Sequence, residues 1–178
     1  MRTRISGRRV LCGVVMAASL LSSCGYHVAG RATNLPEGWS AIAIPAFKND
    51  TTQYRIEQRL TESVIREFIT RTKYHITQDT DAADGVLHGE VLSIDATPVV
   101  FNATTGQVTT MLVTVHAKVQ LIDNKTQKAV YENDDMLFRN EYQISTDVQS
   151  FFQEQSPALE RLSRDFASRV VADALETF

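Results

Sequence analysis
The amino-acid sequence predicts an α+β fold in which two amphipathic helices pack on one face of a mostly antiparallel, mixed sheet. Three observations carry that prediction. Apolar residues recur at helical spacing in two places, first Ile56, Leu60, Val64 and Phe68, then Leu159, Leu162, Phe166, Val170 and Ala174. Three long β segments lie between them, separated by turn-forming residues. The middle segment alternates cleanly, with Met111, Val113, Val115, Ala117, Val119 and Leu121 on one face and Thr110, Thr114, His116, Lys118 and Gln120 on the other. A sheet with one apolar face needs a cover, and two helices cover one face only, so the polar face is left for solvent or a partner.

In chain order, Ala41 to Phe47 (AIAIPAF) reads as a short apolar strand, and Asn49, Asp50 and Thr51 offer helix-capping side chains. The first helix is expected from Thr52 to about Arg71, with Ile65 and Ile69 widening its stripe; at ~1.5 Å per residue it is roughly 30 Å long. A short strand at His75 to Thr77 and an acidic turn from Gln78 to Gly85 follow. The long segments then span Val86 to Phe101, Val108 to Ile122 and Lys128 to Tyr142, joined by Asn102 to Gly106 (NATTG) and Asp123 to Thr126 (DNKT) as the turns of antiparallel hairpins. Pro98 predicts an edge or a bulge, because proline cannot donate to a ladder. Ser156-Pro157 sets a capping hydroxyl before a proline at the first helical position and opens the C-terminal helix.

The N-terminus is of another kind. Arg2, Arg4, Arg8 and Arg9 precede the apolar run Val10 to Leu21 with no acid among them, the layout of a secretion signal. About a dozen apolar residues are too few to cross a ~30 Å hydrocarbon core as a helix. Leu21-Ser22-Ser23-Cys24 resembles the lipobox of bacterial lipoproteins, which implies removal of residues 1–23 and acylation of Cys24. Gly25 at the following position reads as export to the outer membrane, since inner-membrane retention in some organisms uses an acidic residue there. Residues 24–40 then form a lipidated N-terminus and spacer before a domain over 41–178. Lipid burial is worth ~0.8 kcal/mol per methylene, so three acyl chains make a lasting anchor to the membrane.

Cys12 lies in the signal, so the mature chain forms no intramolecular disulfide and is stabilised by packing. The signal holds four of the 18 basic residues and none of the 21 acidic ones, leaving 14 bases against 21 acids, a charge of −7. That disfavours nucleic acid as a partner. It also means that an anionic lipid has to be met by a local basic patch.

Catalytic and cofactor motifs are missing from the sequence: there is no nucleophile elbow, H-E-x-x-H or Gly-rich phosphate loop, so the reading is of a non-enzyme without a cofactor. His88 and Glu90 share a strand face and could meet His116 on a neighbouring strand as metal ligands, but solvated strand side chains explain them as well. Asp79, Asp81, Asp84 and Glu90 imitate a Ca²⁺ loop with its glycine, Gly85, one place late, which favours an acidic surface turn. Arg55, Arg59, Arg66, Arg71 and Lys73 form a basic row, interleaved with Glu57, Glu62 and Glu67 as in an ordinary solvated helix face. The N-x-T triplets at Asn49, Asn102 and Asn124 read as polar turns in a bacterial lipoprotein.

Several segments together resemble one family. Cys24-Gly25-Tyr26-His27-Val28 resembles the C-G-[YW]-H-[LV] opening of the LptE family of lipopolysaccharide-assembly lipoproteins. AIPAFKNDT (Ala43 to Thr51), Leu60-Thr61-Glu62 with Glu67-Phe68, and ADGVLHG (Ala83 to Gly89) resemble its first strand, first helix and the start of its long strands. The resemblance implies two helices on a roughly four-stranded sheet, a plug for the outer-membrane β-barrel LptD, and transport of lipopolysaccharide to the cell surface. Members that touch lipopolysaccharide are expected to carry bases near the hairpin between the long strands, yet Val99 to Gln107 has none, which weights the resemblance towards the plug role. Within it, Asn102, Ala103, Thr104, Thr110, Thr114, His116 and Gln120 are candidates for barrel contact, and Lys118, Lys125, Lys128 and Arg139 for lipopolysaccharide phosphate. Two rivals are a TolB-like or CsgG-like periplasmic component, which shares the strand-turn-helix start without C-G-Y-H, and a lipoprotein hydrolase, for which no acid-base site is visible.

Overall fold
The computed structural model describes residues 35–143 and 157–176. The signal, Cys24 and the first part of the spacer lie outside the described residues, as does the capping Ser156. The strands are β1 (Ala41–Ala43), β2 (Lys48–Asn49), β3 (His75–Thr77), β4 (Gly85–Phe101), β5 (Val108–Asp123) and β6 (Ala129–Gln143); the helices are α1 (Ile56–Arg71) and α2 (Pro157–Glu176). They build one mixed sheet in the order β3-β1-β4-β5-β6, with β2 alongside β4.

The sheet has two parts. β4, β5 and β6 form a long antiparallel meander, as the alternating segments predict. The short strands are parallel: β1 runs beside β3 and the start of β4, and β2 pairs Lys48 with Glu90 and Asn49 with Val91. The count is therefore six strands, a correction to the roughly four expected. Pro45 is the physical reason for part of the difference, since it has no N–H to donate: the strand expected over 41–47 stops at Ala43, and pairing resumes past the proline as β2 at Lys48–Asn49.

Helix α1 starts at Ile56, four residues later than expected. The capping side chains are spent on the turn before it. Asn49 Oδ1 accepts from both the backbone N–H and the hydroxyl of Thr51, and Thr51 Oγ1 accepts from the N–H of Gln53. Arg55, at φ 57°, then turns the chain through the left-handed region into the helix. The second helix begins at Pro157, as predicted.

Both apolar stripes face the sheet. Leu60, Val64, Phe68, Leu162, Phe166 and Val170 are wholly buried, and they share one core with the odd-numbered side chains of β5 from Met111 to Leu121. Each such side chain contributes about 1.5–3 kcal/mol by leaving water. Phe138 of β6 meets Phe166 edge-on, with ring centres 6.0 Å apart. Leu35 and Trp39, from the stretch read as spacer, also pack onto this core.

The end of the sheet where β4 begins is closed by a cluster of polar contacts around Asp84. Its Oδ2 accepts from the N–H of Ser40 (2.8 Å), the hydroxyl of Ser40 (3.0 Å) and the N–H of Ala41 (3.2 Å). These donors hold its carboxyl down at about 2. Trp39 packs against Gly85, where a Cβ would stand 2.3 Å from the indole, and its Nε1 donates to Asp123. Asn124 Nδ2 donates to the carbonyls of Thr80 and Ala83.

Candidate functional site
Among the described residues both helices lie on the apolar side, so the even-numbered side chains of β5 and their neighbours on β4 and β6 make an open face. That face has a densely charged half and a half in which Asp95, Arg139 and Glu141 flank Thr114 and Leu112.

The charged half crosses the sheet as a row of alternating sign: Lys48 on β2, Glu90 on β4, Lys118 on β5, Asp134 on β6. Lys48 Nζ bonds Glu90 and Asp50, which raises the lysine pKa and lowers that of Asp50. Lys118 Nζ bonds Asp134 at 2.6 Å, and this bond, with Glu132 and Glu90 nearby, raises its pKa. Gln120 donates to Glu132, and His116 Nδ1 shares a hydrogen bond with Asp135 Oδ1 at 2.8 Å. The row is self-neutralising. Asp134 and Asp135 come into reach because the β5–β6 register shifts between Ala117 and Val119.

The four candidate bases are spread out. Lys118 is engaged as described. Lys125 stands in the β5–β6 turn, 76% exposed and 3.5 Å from Asp84, with the exposed Lys128 at the end of the same turn. Arg139 is exposed on β6 opposite Thr114, four residues along β5 from Lys118, or ~13 Å. The structure brings together Lys125 and Lys128 alone.

The barrel-contact candidates fall on one continuous path. Asn102, Ala103 and Thr104 form the exposed tip of the β4–β5 hairpin, where Asn102 Oδ1 accepts from the N–H groups of Thr104 and Thr105. Thr110 is paired with Val100 and Gln143 and is buried, Thr114 lies between Asp95 and Arg139, and His116 and Gln120 lead on into the charged half. His88, Glu90 and His116 do not form a metal site: Glu90 faces Lys118, His116 faces Ser93 beyond a bulge at Leu92, and among the described residues no three His, Cys, Asp or Glu are grouped to hold an ion. Asp84 is taken up by the backbone and hydroxyl donors of Ser40 and Ala41.

Sequence reasoning missed the Asp84 contacts and the close packing of Trp39 on Gly85 and Phe47 on Gly89. Two glycines four apart inside a long strand were the available signal, since glycine in a strand marks a close approach.

Fold and site together define a class: a small α+β module with one sheet face covered by its own helices and the other open. The chain belongs to the LptE family, lipopolysaccharide-assembly, whose family model matches residues 39–174. No curated protein matches the chain. Among solved structures it is similar to the PelC dodecamer from Paraburkholderia phytofirmans (12% identity over 76% of this chain and 87% of that one, TM-score 0.46). It is also similar to lipoprotein GNA1162 from Neisseria meningitidis (11%, 74% and 98%, 0.44) and to the rare lipoprotein B from Shewanella oneidensis (14%, 72% and 90%, 0.41). At this similarity none of the three bears on what this chain binds. Among the described residues no helix is long and apolar enough to cross a membrane.

Proposed function
We propose that the protein is an outer-membrane lipoprotein, anchored through acylated Cys24, that assists assembly of an LptD-type β-barrel and plugs its lumen for delivery of lipopolysaccharide to the outer leaflet. Family membership supplies the lipopolysaccharide-assembly role. The single observation that supports the plug is the open sheet face, on which Lys48, Glu90, Lys118 and Asp134 pair across four strands and Thr114, His116 and Gln120 add polar side chains. A barrel lumen is wet, and a surface of this kind fits it without exposing a large sticky patch before assembly.

Lipopolysaccharide contact belongs to the same reading. Of the four bases, Lys128 and Arg139 suit lipid phosphate better than Lys118, whose ammonium is 2.6 Å from Asp134, and Lys125, 76% exposed and 3.5 Å from Asp84, lies between. Purification of the acylated protein in detergent tests the reading: a β-barrel recovered in equal amount is the expected result. Recovery of a large homo-oligomer or a different envelope partner would turn the assignment towards the TolB-like or CsgG-like alternative. Lys118→Glu with Arg139→Glu tests the lipid part. Unchanged lipopolysaccharide binding at both low and physiological salt would remove these two residues from it.

A further inference from the structure
We propose that the open sheet face carries an anchor point for a protein partner: the row Leu92, His116 and Leu137 receives an apolar side chain that the barrel's lumen wall presents among basic groups. The proposal rests on the plug reading and deepens it by naming the chemistry that meets this face. Leu92 and Leu137 are 38% and 55% exposed. Single exposed leucines are ordinary on a protein surface, but these two are not scattered. His116 pairs on one side with Ser93, next to Leu92, and on the other with Leu137, so the row crosses β4, β5 and β6. At ~4.8 Å between strands it is roughly 10 Å long, which is room for one large side chain.

Two irregularities at one level of the sheet shape this row and its border. The β4–β5 register shifts between Val91 and Ser93, and Val91 and Ile94 are both buried, so Leu92 and Ser93 both turn to the open face. On β6 the shift opposite Lys118 brings up Asp134 and Asp135, and Asp135 bonds His116. Bulges re-aim side chains in this way. Charged groups fence the row on both sides, with Glu90, Lys118, Asp134 and Asp135 towards the proximal end and Asp95 and Arg139 towards the distal end. Leaving His116 out, these are four acids against two bases, a local charge of −2. A little further out, Lys48, Asp50, Glu132 and Glu141 add three acids and one base. An apolar centre inside a polar rim is the anatomy of a protein interface.

The sign of the rim selects the occupant. A second copy meeting this face with its own would set acids against acids across a two-fold axis. A lipid acyl chain would bring its phosphates up to the same acids. A lumen wall that offers an apolar side chain with Lys or Arg beside it satisfies both parts of the row. The apolar group fills the space between the two leucines, and the bases meet Asp134 and Asp135, whose side chains are 65% and 73% exposed. A few such anchors carry most of the energy of an interface, so a row of three residues is enough to matter.

The test is a competition in which a native and a variant copy, both full-length, acylated and told apart by their tags, are expressed in equal amounts with the barrel. Leu92→Ser with Leu137→Ser should capture about tenfold less barrel than the native copy. Ile69→Ser, which removes an apolar group 59% exposed on α1, is the control and should compete evenly. Leu137→Ser alone, at the more exposed position, should lose several-fold with its melting curve in place, and so decides the matter if the double variant melts lower. Leu137→Lys should capture less barrel than Leu137→Glu, because a base there repels the basic surroundings of the incoming side chain. Even competition by the leucine variants, with native melting curves, overturns the anchor point, and the reverse order of Lys and Glu overturns the basic partner. Loss of lipopolysaccharide binding with barrel capture unchanged would overturn it in favour of an acyl chain. A native copy that captures no barrel is a different failure, since it removes the plug reading itself and the anchor point with it.

Discussion

The two ends of the long meander are built on opposite principles. At the proximal end, where β4 begins and β5 ends, Asp84, Asp123, Asn124 and Trp39 bond across 41 to 84 residues of sequence and tie the incoming chain to the sheet. At the distal end the hydrogen bonds are local to the hairpin, the strand carries successive register shifts and apolar side chains stay exposed. One end is fixed by long-range contacts that leave little for a partner to add. The other is self-contained and unfinished, which is the condition of a surface that acts on something else.

The largest expected effects fall on what both ends share. Leu60→Asp and Phe166→Asp each put a carboxylate where the native side chain has no solvent exposure. The cost is several kcal/mol against a total stability of ~5–15 kcal/mol, so circular dichroism should show both variants unfolded. A cooperative melt like that of the native protein would mean that the helices do not cover the sheet as described.

Glycine substitutions sharpen the contrast between the ends. A methyl group at Gly85 meets the Trp39 ring at 2.3 Å and must drive the indole away from Asp123. Gly85→Ala should therefore cost near the upper end of the ~1–3 kcal/mol typical of overpacking. At Gly106 there is open space but a φ of +68°, so Gly106→Ala should cost only about 1 kcal/mol of backbone strain. Urea melts of the two variants give the order directly, and a reversed order would contradict the account of the proximal end.

That difference also explains what the sequence made legible. Strict alternation in β5, the two helical stripes, the strand at His75–Thr77 and the turns at Asn102 and Asp123 were readable because each is a local pattern of period or turn chemistry. The break at Pro45 and the late start of α1 were less so, because Asn49 and Thr51 have the same capping chemistry whether they cap a helix or a preceding turn. Asp84 read as part of an acidic surface turn because its real partners, Ser40 and Ala41, are more than forty residues away. Lys118 looked like a free base because its partner depends on a bulge that fixes which acids of β6 lie opposite.

A further prediction concerns acid. The carboxyl of Asp84 titrates at about 2 in the folded chain, below its usual value of 3.8, because the donors of Ser40 and Ala41 favour the charged form. Its contribution to stability is thus complete above the usual value and lost as pH falls through about 2. Asp84→Asn should lower the melting temperature at pH 7, and the gap between variant and native protein should close on acidification towards pH 2. A gap that stays constant with pH would show that the charge of Asp84 does not hold the proximal end.

The smallest effect on stability is expected at the hairpin tip. The bonds there close within residues 100–109, so a bulky insertion between Ala103 and Thr104 disrupts only a local turn. Its effect should stay near ~0.5 kcal/mol, the ordinary range for surface changes. The same insertion between Lys125 and Thr126 disturbs a turn whose Asp123 accepts from the N–H groups of both, and whose Asn124 holds Thr80 and Ala83, so its cost should be clearly larger. Function should run the other way if the distal end is the working one: the tip insertion loses the barrel partner in co-purification while the melt stays native. An intact barrel complex would exclude this hairpin from the plug contact. Equal loss of stability from the two insertions would remove the asymmetry itself, since it would mean that the distal turn is tied into the fold as firmly as the proximal one.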